Sequence, residues 1–368
     1  MTESALFSPL ALRGVELANR IVVAPMGQYS AVDGSATDWH LMHLGQFAVN
    51  GAGLLITEAT AVSPEARITP GCLGLYSDHH EAALAHVVGF CRQHSRIALG
   101  IQLSHSGRKG STYAPAAGRN APLLPEDGAW ETLSAAGQPR ADGWPPPRAA
   151  SEAELQKVIA DHADAARRAD RIGFDLIELT AAHGYFLQEF MSPAANKRTD
   201  RWGGAFENRV RLCLEVFKAI REVWPAEKAL GVRLSATDYL DGGWDLAQTV
   251  LLCGMLKDLG CDFATLSSGG LSLDQKVPIG EGHQVDFAAT VRRETGLPVM
   301  AVGMIFRPQH AESIIAEGQA DMIALARGML HDPHWPWRAA AELGAEVDYP
   351  PQYVRGYKSR WYREQRTR

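Results

Sequence analysis

The chain has 368 residues, 46% hydrophobic and 21% charged, enough apolar material for one large core or two ordinary ones. Its formal net charge is −6, and no stripe of Lys or Arg offsets it. A nucleic-acid partner is therefore not expected, since it would need clustered cations to neutralise phosphates.

In chain order, short apolar runs predict strands at Ile21–Met26, Leu54–Ala59, Ala98–Ser104, Leu176–Ala181, Leu230–Leu234, Phe263–Ser267, Val299–Val302 and Met322–Ala326. Each is almost continuously apolar, as parallel strands buried on both faces are. Helical patterns lie between them. Ser151-Glu-Ala-Glu154 is a capping box ahead of a helix to Ile172, and Asp245-Leu-Ala-Gln248 opens another towards Leu259. Arg209–Trp224 places Val210, Leu214, Phe217 and Ile220 at helical spacing. Eight strands alternating with helices predict a (β/α)₈ TIM barrel, an α/β fold, as one domain over residues 1–368. No Gly-x-Gly-x-x-Gly follows the first strand, which argues against a doubly wound dinucleotide fold.

Residues 106–150 break the rhythm, being rich in Gly, Pro and Ala, with Trp130 and Trp144. Their place after the third strand, on the face where barrel active sites lie, favours a lid over a linker. The segment 349–368 is a locally basic tail, expected to pack on acidic protein surface. No apolar stretch reaches the roughly 18 residues of a membrane span. The N-terminus has no basic-then-apolar leader pattern. Five scattered cysteines (Cys72, Cys91, Cys213, Cys253, Cys261) without a Cys-x-x-Cys read as reduced thiols of a cytoplasmic protein. They offer no spacing for structural zinc or an iron–sulfur cluster.

Polar residues collect at the predicted strand ends. The first strand leads to Pro25-Met-Gly-Gln-Tyr29, the third holds Gln102 and leads to Arg108-Lys109, and the fourth runs into Thr180, His183 and Tyr185. The fifth presents Arg233, the seventh ends in Gly303, and the eighth ends in Ala326-Arg327. One such residue is usually structural; their clustering on a barrel's catalytic face points to a site. The set suits a flavin. A cation such as Arg233 favours the anionic reduced ring, Gln102 offers donor and acceptor to its pyrimidine edge, and Gly303 with Arg327 suits a phosphate. Neither motif alone identifies FMN. His40 and His43 have a metal-binding spacing but no third ligand, so packing and hydrogen bonding is the simpler reading. Asp238 and Asp241 read as a solvated turn ahead of Gly242-Gly243.

From Leu6-Phe7 to Tyr353-Val-Arg355-Gly-Tyr357, nearly the whole chain resembles the old yellow enzyme family, in particular its bacterial thermophilic-like ene-reductases. The stretches that carry this are Ala24-Pro-Met26, Thr37-Asp-Trp-His-Leu-Met-His43, Ile101-Gln-Leu-Ser-His-Ser-Gly-Arg-Lys109, Ala182-His-Gly-Tyr185 and, most distinctive, Asn196-Lys-Arg-Thr-Asp-Arg-Trp-Gly-Gly204 with Glu207-Asn-Arg209. The resemblance implies FMN, a hydride from NADPH or NADH, and reduction of an electron-poor C=C bond in unsaturated carbonyl or nitro compounds. It places FMN against Ala24, Pro25, Met26, Gly27, Ala59, Gln102, Arg233, Gly303, Ala326 and Arg327. Tyr185 matches the proton donor, Thr180 and His183 the pair that holds the substrate's oxygen, and Tyr29 a substrate contact. Arg355 matches an arginine that enters a neighbouring subunit's site, which implies a homodimer or homotetramer.

Two positions depart from the family pattern. Thr180 stands where a histidine is usual, and its shorter side chain would leave His183 as the main anchor. Gly27 stands where this branch usually has cysteine. The alternatives to an ene-reductase are an FMN barrel with another reaction (demethylase, dienoyl reductase or desaturase) and a flavin-free binding barrel.

Overall fold

The computed structural model describes residues 4–356. Eight parallel strands close into a barrel: β1 (Ile21–Val23), β2 (Leu54–Ala61), β3 (Ala98–Ser104), β4 (Leu176–Ala181), β5 (Ala229–Ser235), β6 (Phe263–Ser267), β7 (Val299–Ala301) and β8 (Met322–Leu325). Each pairs with the next, and β8 returns to β1. A helix follows every strand, among them Asp38–Ala48, Glu152–Ile172, Phe206–Val223 and Leu246–Asp258. The predicted strands are all present. β1 is shorter because Pro25 has no amide hydrogen to extend the ladder, and β2 is longer, carried through a bulge between Ile56 and Ala59. The Ser151–Glu154 capping box forms, and Asp245 caps its helix by accepting from Gln248 N at 2.9 Å.

Strand alternation sorts the core into two. Inward residues Val22, Leu54, Ile56, Ala98, Leu176, Ala229, Phe263, Met300 and Met322 fill the lower barrel. Leu12, Val15 and Leu17 from an N-terminal hairpin join them, and Gly14 N donates to Glu227 O at 2.9 Å, so the hairpin plugs the mouth where the strands begin. Phe263 needs Gly231 opposite, where an added Cβ would lie 2.2 Å from its ring. Outward residues such as Ile101, Ile177, Leu179 and Val232 pack on the helices. With the bottom closed by apolar packing, polar inward positions can only collect at the C-terminal end.

The 106–150 segment consists of short 3₁₀ turns and a two-stranded parallel ribbon (Leu133–Ser134, Arg148–Ala149). Arg198 Nη1 ties both arms of the ribbon, donating to Ala135 O (2.9 Å) and Ala150 O (2.8 Å). Asn196 Nδ2 in turn holds Phe190 O and Trp202 O, both at 2.7 Å. The distinctive Asn196–Gly204 stretch is thus a brace for the insertion. All five cysteines are free and buried. No helix among the described residues is long and apolar enough to cross a membrane. Of the predicted tail, 351–356 form an exposed 3₁₀ segment, and 357–368 lie outside the described residues.

Candidate active site

Period-two alternation brings Gln102, Glu178, Arg233 and Thr265 to one layer inside the barrel. Gln102 is in register with Glu178, and Arg233 with both Thr180 and Thr265. Gln102 Nε2 donates to Glu178 Oε1 and Thr265 Oγ1 to Glu178 Oε2, each at 2.5 Å. A buried carboxylate is tolerable only when paired and hydrogen-bonded, and Glu178 meets that condition. Its charge supports the Arg233 cation, which burial works against. Arg233 Nε is nevertheless buried without a partner among the described residues.

One layer higher stand Thr180, His183, Tyr185 and Ser267. His183 lies at φ +58°, a left-handed conformation fixed from both sides: its N–H donates to Ser235 Oγ (2.9 Å), and Lys109 Nζ donates to its carbonyl (2.6 Å). His183 Nε2 is 2.7 Å from Ser267 Oγ, and Gln284 Oε1 accepts from Ser267 (3.2 Å) and Ser268 (2.8 Å). An amide oxygen only accepts. With the Ser267 proton on Gln284, His183 in its Nε2–H tautomer donates to Ser267 Oγ. Burial, with Arg233 and Lys109 nearby, holds the imidazole pKa well below its ordinary value, so Nδ1 is left as an acceptor. The Thr180 hydroxyl is buried and, among the described residues, unpartnered, a free donor of this layer.

Tyr185 precedes the short helix Phe186–Met191, with Lys109 Nζ 4.9 Å from its ring centre. Burial pushes the phenol further above its ordinary pKa, so it carries its proton at neutral pH. Tyr29 sits at φ +52°, and its ring lies 3.2 Å from where a Cβ on Gly27 would be. The missing side chain at 27 makes room for Tyr29.

Between β7 and β8 a cavity of about 210 Å³ is lined by Ala24, Arg233, Gly303, Ala326 and Arg327, together with Ser267 and Gln284. Gly303 has φ +118°, and a Cβ there would meet Gln284 Nε2 at 2.7 Å. Only glycine leaves this wall open. Ala59 pairs with Gln102 on the adjoining strands, and Pro25, Met26 and Gly27 follow β1 on the same face. Arg355 is exposed in the 351–356 segment.

His40 Nδ1 accepts from Thr37 N at 3.0 Å, and its Nε2 lies 3.3 Å from Glu58 Oε1. His43 packs edge-on against Phe47. The solvated-turn reading holds for the exposed Asp241 and fails for Asp238. Asp238 is fully buried and accepts from Gln188 Nε2 (2.6 Å), Ser192 Oγ (2.5 Å) and Trp244 N (2.9 Å). It ties the loop after β5 to the end of the Phe186–Met191 helix. Sequence reasoning also missed Thr265, Ser267, Gln284 and Glu189. Alternation in Phe263-Ala-Thr-Leu-Ser267 could have found the first two; Gln284 and Glu189 carry no local signal.

Closed parallel barrel, cation-bearing polar layer and glycine-walled cavity at the strand ends together define a barrel enzyme with its site at the C-terminal face. Comparison with known proteins narrows the class. The model of the NADH:flavin oxidoreductase / NADH oxidase family matches residues 5–346. An NADPH dehydrogenase of Geobacillus thermodenitrificans is 39% identical over 357 residues, covering 96% of this chain and 99% of its own. An NADH:flavin oxidoreductase of Gibberella zeae is 39% identical over 372 residues, 96% of this chain and 89% of its own. Among solved structures, morphinone reductase superposes with a TM-score of 0.77 at 27% identity over 95% of this chain and 93% of its own. A 2-naphthoyl-CoA reductase shares the fold (TM-score 0.83, 23% identity, 93% of this chain), and the chain spans about half (52%) of its length. The chain belongs to the NADH:flavin oxidoreductase / NADH oxidase family, the old yellow enzymes, and is an FMN-dependent oxidoreductase served by a reduced nicotinamide.

Proposed function

We propose that the protein is an ene-reductase for unsaturated carbonyl or nitro compounds. The residues fit FMN: Arg233 Nε is a buried donor without a partner, Gln102 has spent one amide hydrogen and keeps its carbonyl, and the Gly303 wall stays open to a phosphate. Ala24, Pro25, Met26, Gly27, Ala59, Gln102, Arg233, Gly303, Ala326 and Arg327 would hold it. The chemistry FMN supplies when bound is hydride transfer, from NADPH or NADH to the β-carbon of the substrate.

What supports the reading is a buried Tyr185 that keeps its proton at neutral pH, on the same strand-end face as a Thr180 hydroxyl with no partner among the described residues. Tyr185 Oη gives its proton to the α-carbon, and the Arg140 and Arg233 cations favour the phenolate left behind. Thr180 Oγ1–H donates to the substrate oxygen on which enolate or nitronate charge develops. This gives Thr180 the main donor role, because His183 Nε2–H is engaged by Ser267; His183 holds the wall beside it and Tyr29 the other flank. In the same reading the protein acts in the cytoplasm, the 106–150 segment is a lid, and Arg355 enters a neighbour's site in a homodimer or homotetramer.

Anaerobic stopped-flow with cyclohexenone tests the proposal. Tyr185→Phe should slow substrate reduction about 10²–10⁴-fold, the worth of general acid catalysis, and leave flavin reduction by NADPH nearly unchanged. Equal rates for both proteins in the substrate step would refute it.

A further inference from the structure

Lys109 lies over the Tyr185 ring, Arg108 spans from Leu271 to Pro139 beside Arg140, and none of these three cations forms a salt bridge among the described residues. Lys109 Nζ spends its contacts on neutral carbonyls, His183 O at 2.6 Å and Gly270 O at 3.2 Å. Arg108 does the same, with Nη1 on Pro139 O (3.4 Å) and Nη2 on Leu271 O (3.0 Å), and its Nε is buried with no partner. Arg140, from the insertion, lies 4.7 Å over the Trp144 ring and has one long contact, 3.5 Å to Asn120 Oδ1. Two carboxyls act on the cluster without an ion pair: Glu189, whose oxygens are taken by Arg108 N (2.9 Å) and Ala135 N (3.4 Å), and Asp238, whose oxygens are taken by Gln188, Ser192 and Trp244.

We propose that Arg108, Lys109 and Arg140 form an anion subsite that takes a carboxylate or phosphate carried by the molecule reacting beside Tyr185. The placement beside Tyr185 rests on the ene-reductase reading; the cation cluster itself does not. Mutually repelling cations that lack a salt bridge in a partly buried site are costly. Burial and the two arginines hold Lys109 down to about 7, and Glu189, buried itself, is pushed up to about 7 instead of serving as a full counter-charge. Arg140 also favours the Tyr185 phenolate, so the cluster acts on the reacting centre. A bound anion would relieve the repulsion and gain charge-assisted hydrogen bonds from guanidinium groups suited to planar oxyanions.

Two sources can bring that anion: the oxidising substrate, or the phosphates of the nicotinamide donor. The test uses the holoenzyme and titration calorimetry with one cyclohexenone prepared as its carboxylate and as its carboxamide. The wild type should prefer the carboxylate, and Arg140→Gln should cut that preference about tenfold, the worth of one charge-assisted hydrogen bond. Arg140→Lys should keep most of it, which separates charge from packing on Trp144. In parallel, flavin reduction by NADPH is compared with reduction by 1-benzyl-1,4-dihydronicotinamide, which carries no phosphate. A tenfold fall confined to the NADPH ratio assigns the subsite to the donor's phosphates; a fall confined to the carboxylate preference assigns it to the substrate. If Arg140→Gln moves neither ratio, the subsite is refuted. A carboxylate preference in binding without turnover of either compound would refute the ene-reductase reading and leave the subsite standing.

Discussion

Replacing Thr180 by valine should stabilise the protein and disable it at once. The Thr180 hydroxyl is buried and has no hydrogen-bond partner; such a group typically costs about 1–3 kcal/mol. Valine keeps the shape, removes the polar atom and buries a methyl, so unfolding free energy should rise by about 1–2 kcal/mol. Urea titration should show a higher midpoint with an unchanged slope. The substrate step should fall about 10²–10³-fold, as when one oxyanion donor is lost, while flavin reduction by NADPH changes little. Releasing His183 from Ser267 should restore part of the loss: in Thr180→Val/Ser267→Ala, Nε2–H becomes free to meet the substrate oxygen. The two changes should therefore be non-additive. Stopped-flow on both half-reactions in the four proteins decides the matter. An unchanged substrate step in Thr180→Val refutes the donor role, and an unchanged urea midpoint means the hydroxyl is already bonded.

Arg327→Ala should weaken FMN through the lost charge-assisted phosphate contact; full flavin occupancy after dilution and dialysis would contradict the assignment. Glu189 gives a pH signature: burial raises it to about 7 from an unfolded value near 4.5, so its stabilising neutral form is fully favoured below about pH 4.5 and lost as pH rises to 7. Glu189→Gln should remove that fall, shifting the stability difference between the two proteins by about 3 kcal/mol across this window. Lys109, held down to about 7, acts above it with the opposite slope, so the urea titrations belong at or below pH 7; parallel curves for the two proteins would refute the role of Glu189. Sedimentation should find a dimer or tetramer, and Arg355→Ala should raise KM for the enone without slowing flavin reduction. A monomer of full activity would count against the neighbour's arginine.

The barrel is legible in the sequence because its strands are buried on both faces and so read as uninterrupted apolar runs. Site residues are legible where a large polar group breaks such a run, as Gln102 and Arg233 do. Thr265 and Ser267 are hidden because small hydroxyls sit in strands for many reasons, and only the register with Arg233 and Ser235 reveals their inward face. Asp238 is misleading for a related cause. Its setting, Asp238-Tyr-Leu-Asp-Gly-Gly243, has the composition of an exposed turn, yet two donors from the distant Gln188–Ser192 segment and one from neighbouring Trp244 converge on its carboxylate. Thr180 shows the limit most clearly. Judged by length, a threonine hydroxyl looks too short for a histidine's role, which leaves His183 as the anchor. The order proposed above is the reverse: with Gln284, a residue with no local signal, taking the Ser267 proton, His183 donates into the wall and Thr180 meets the substrate oxygen. A donor's role depends on which neighbours have already spent their hydrogens, and that is a property of the assembled site.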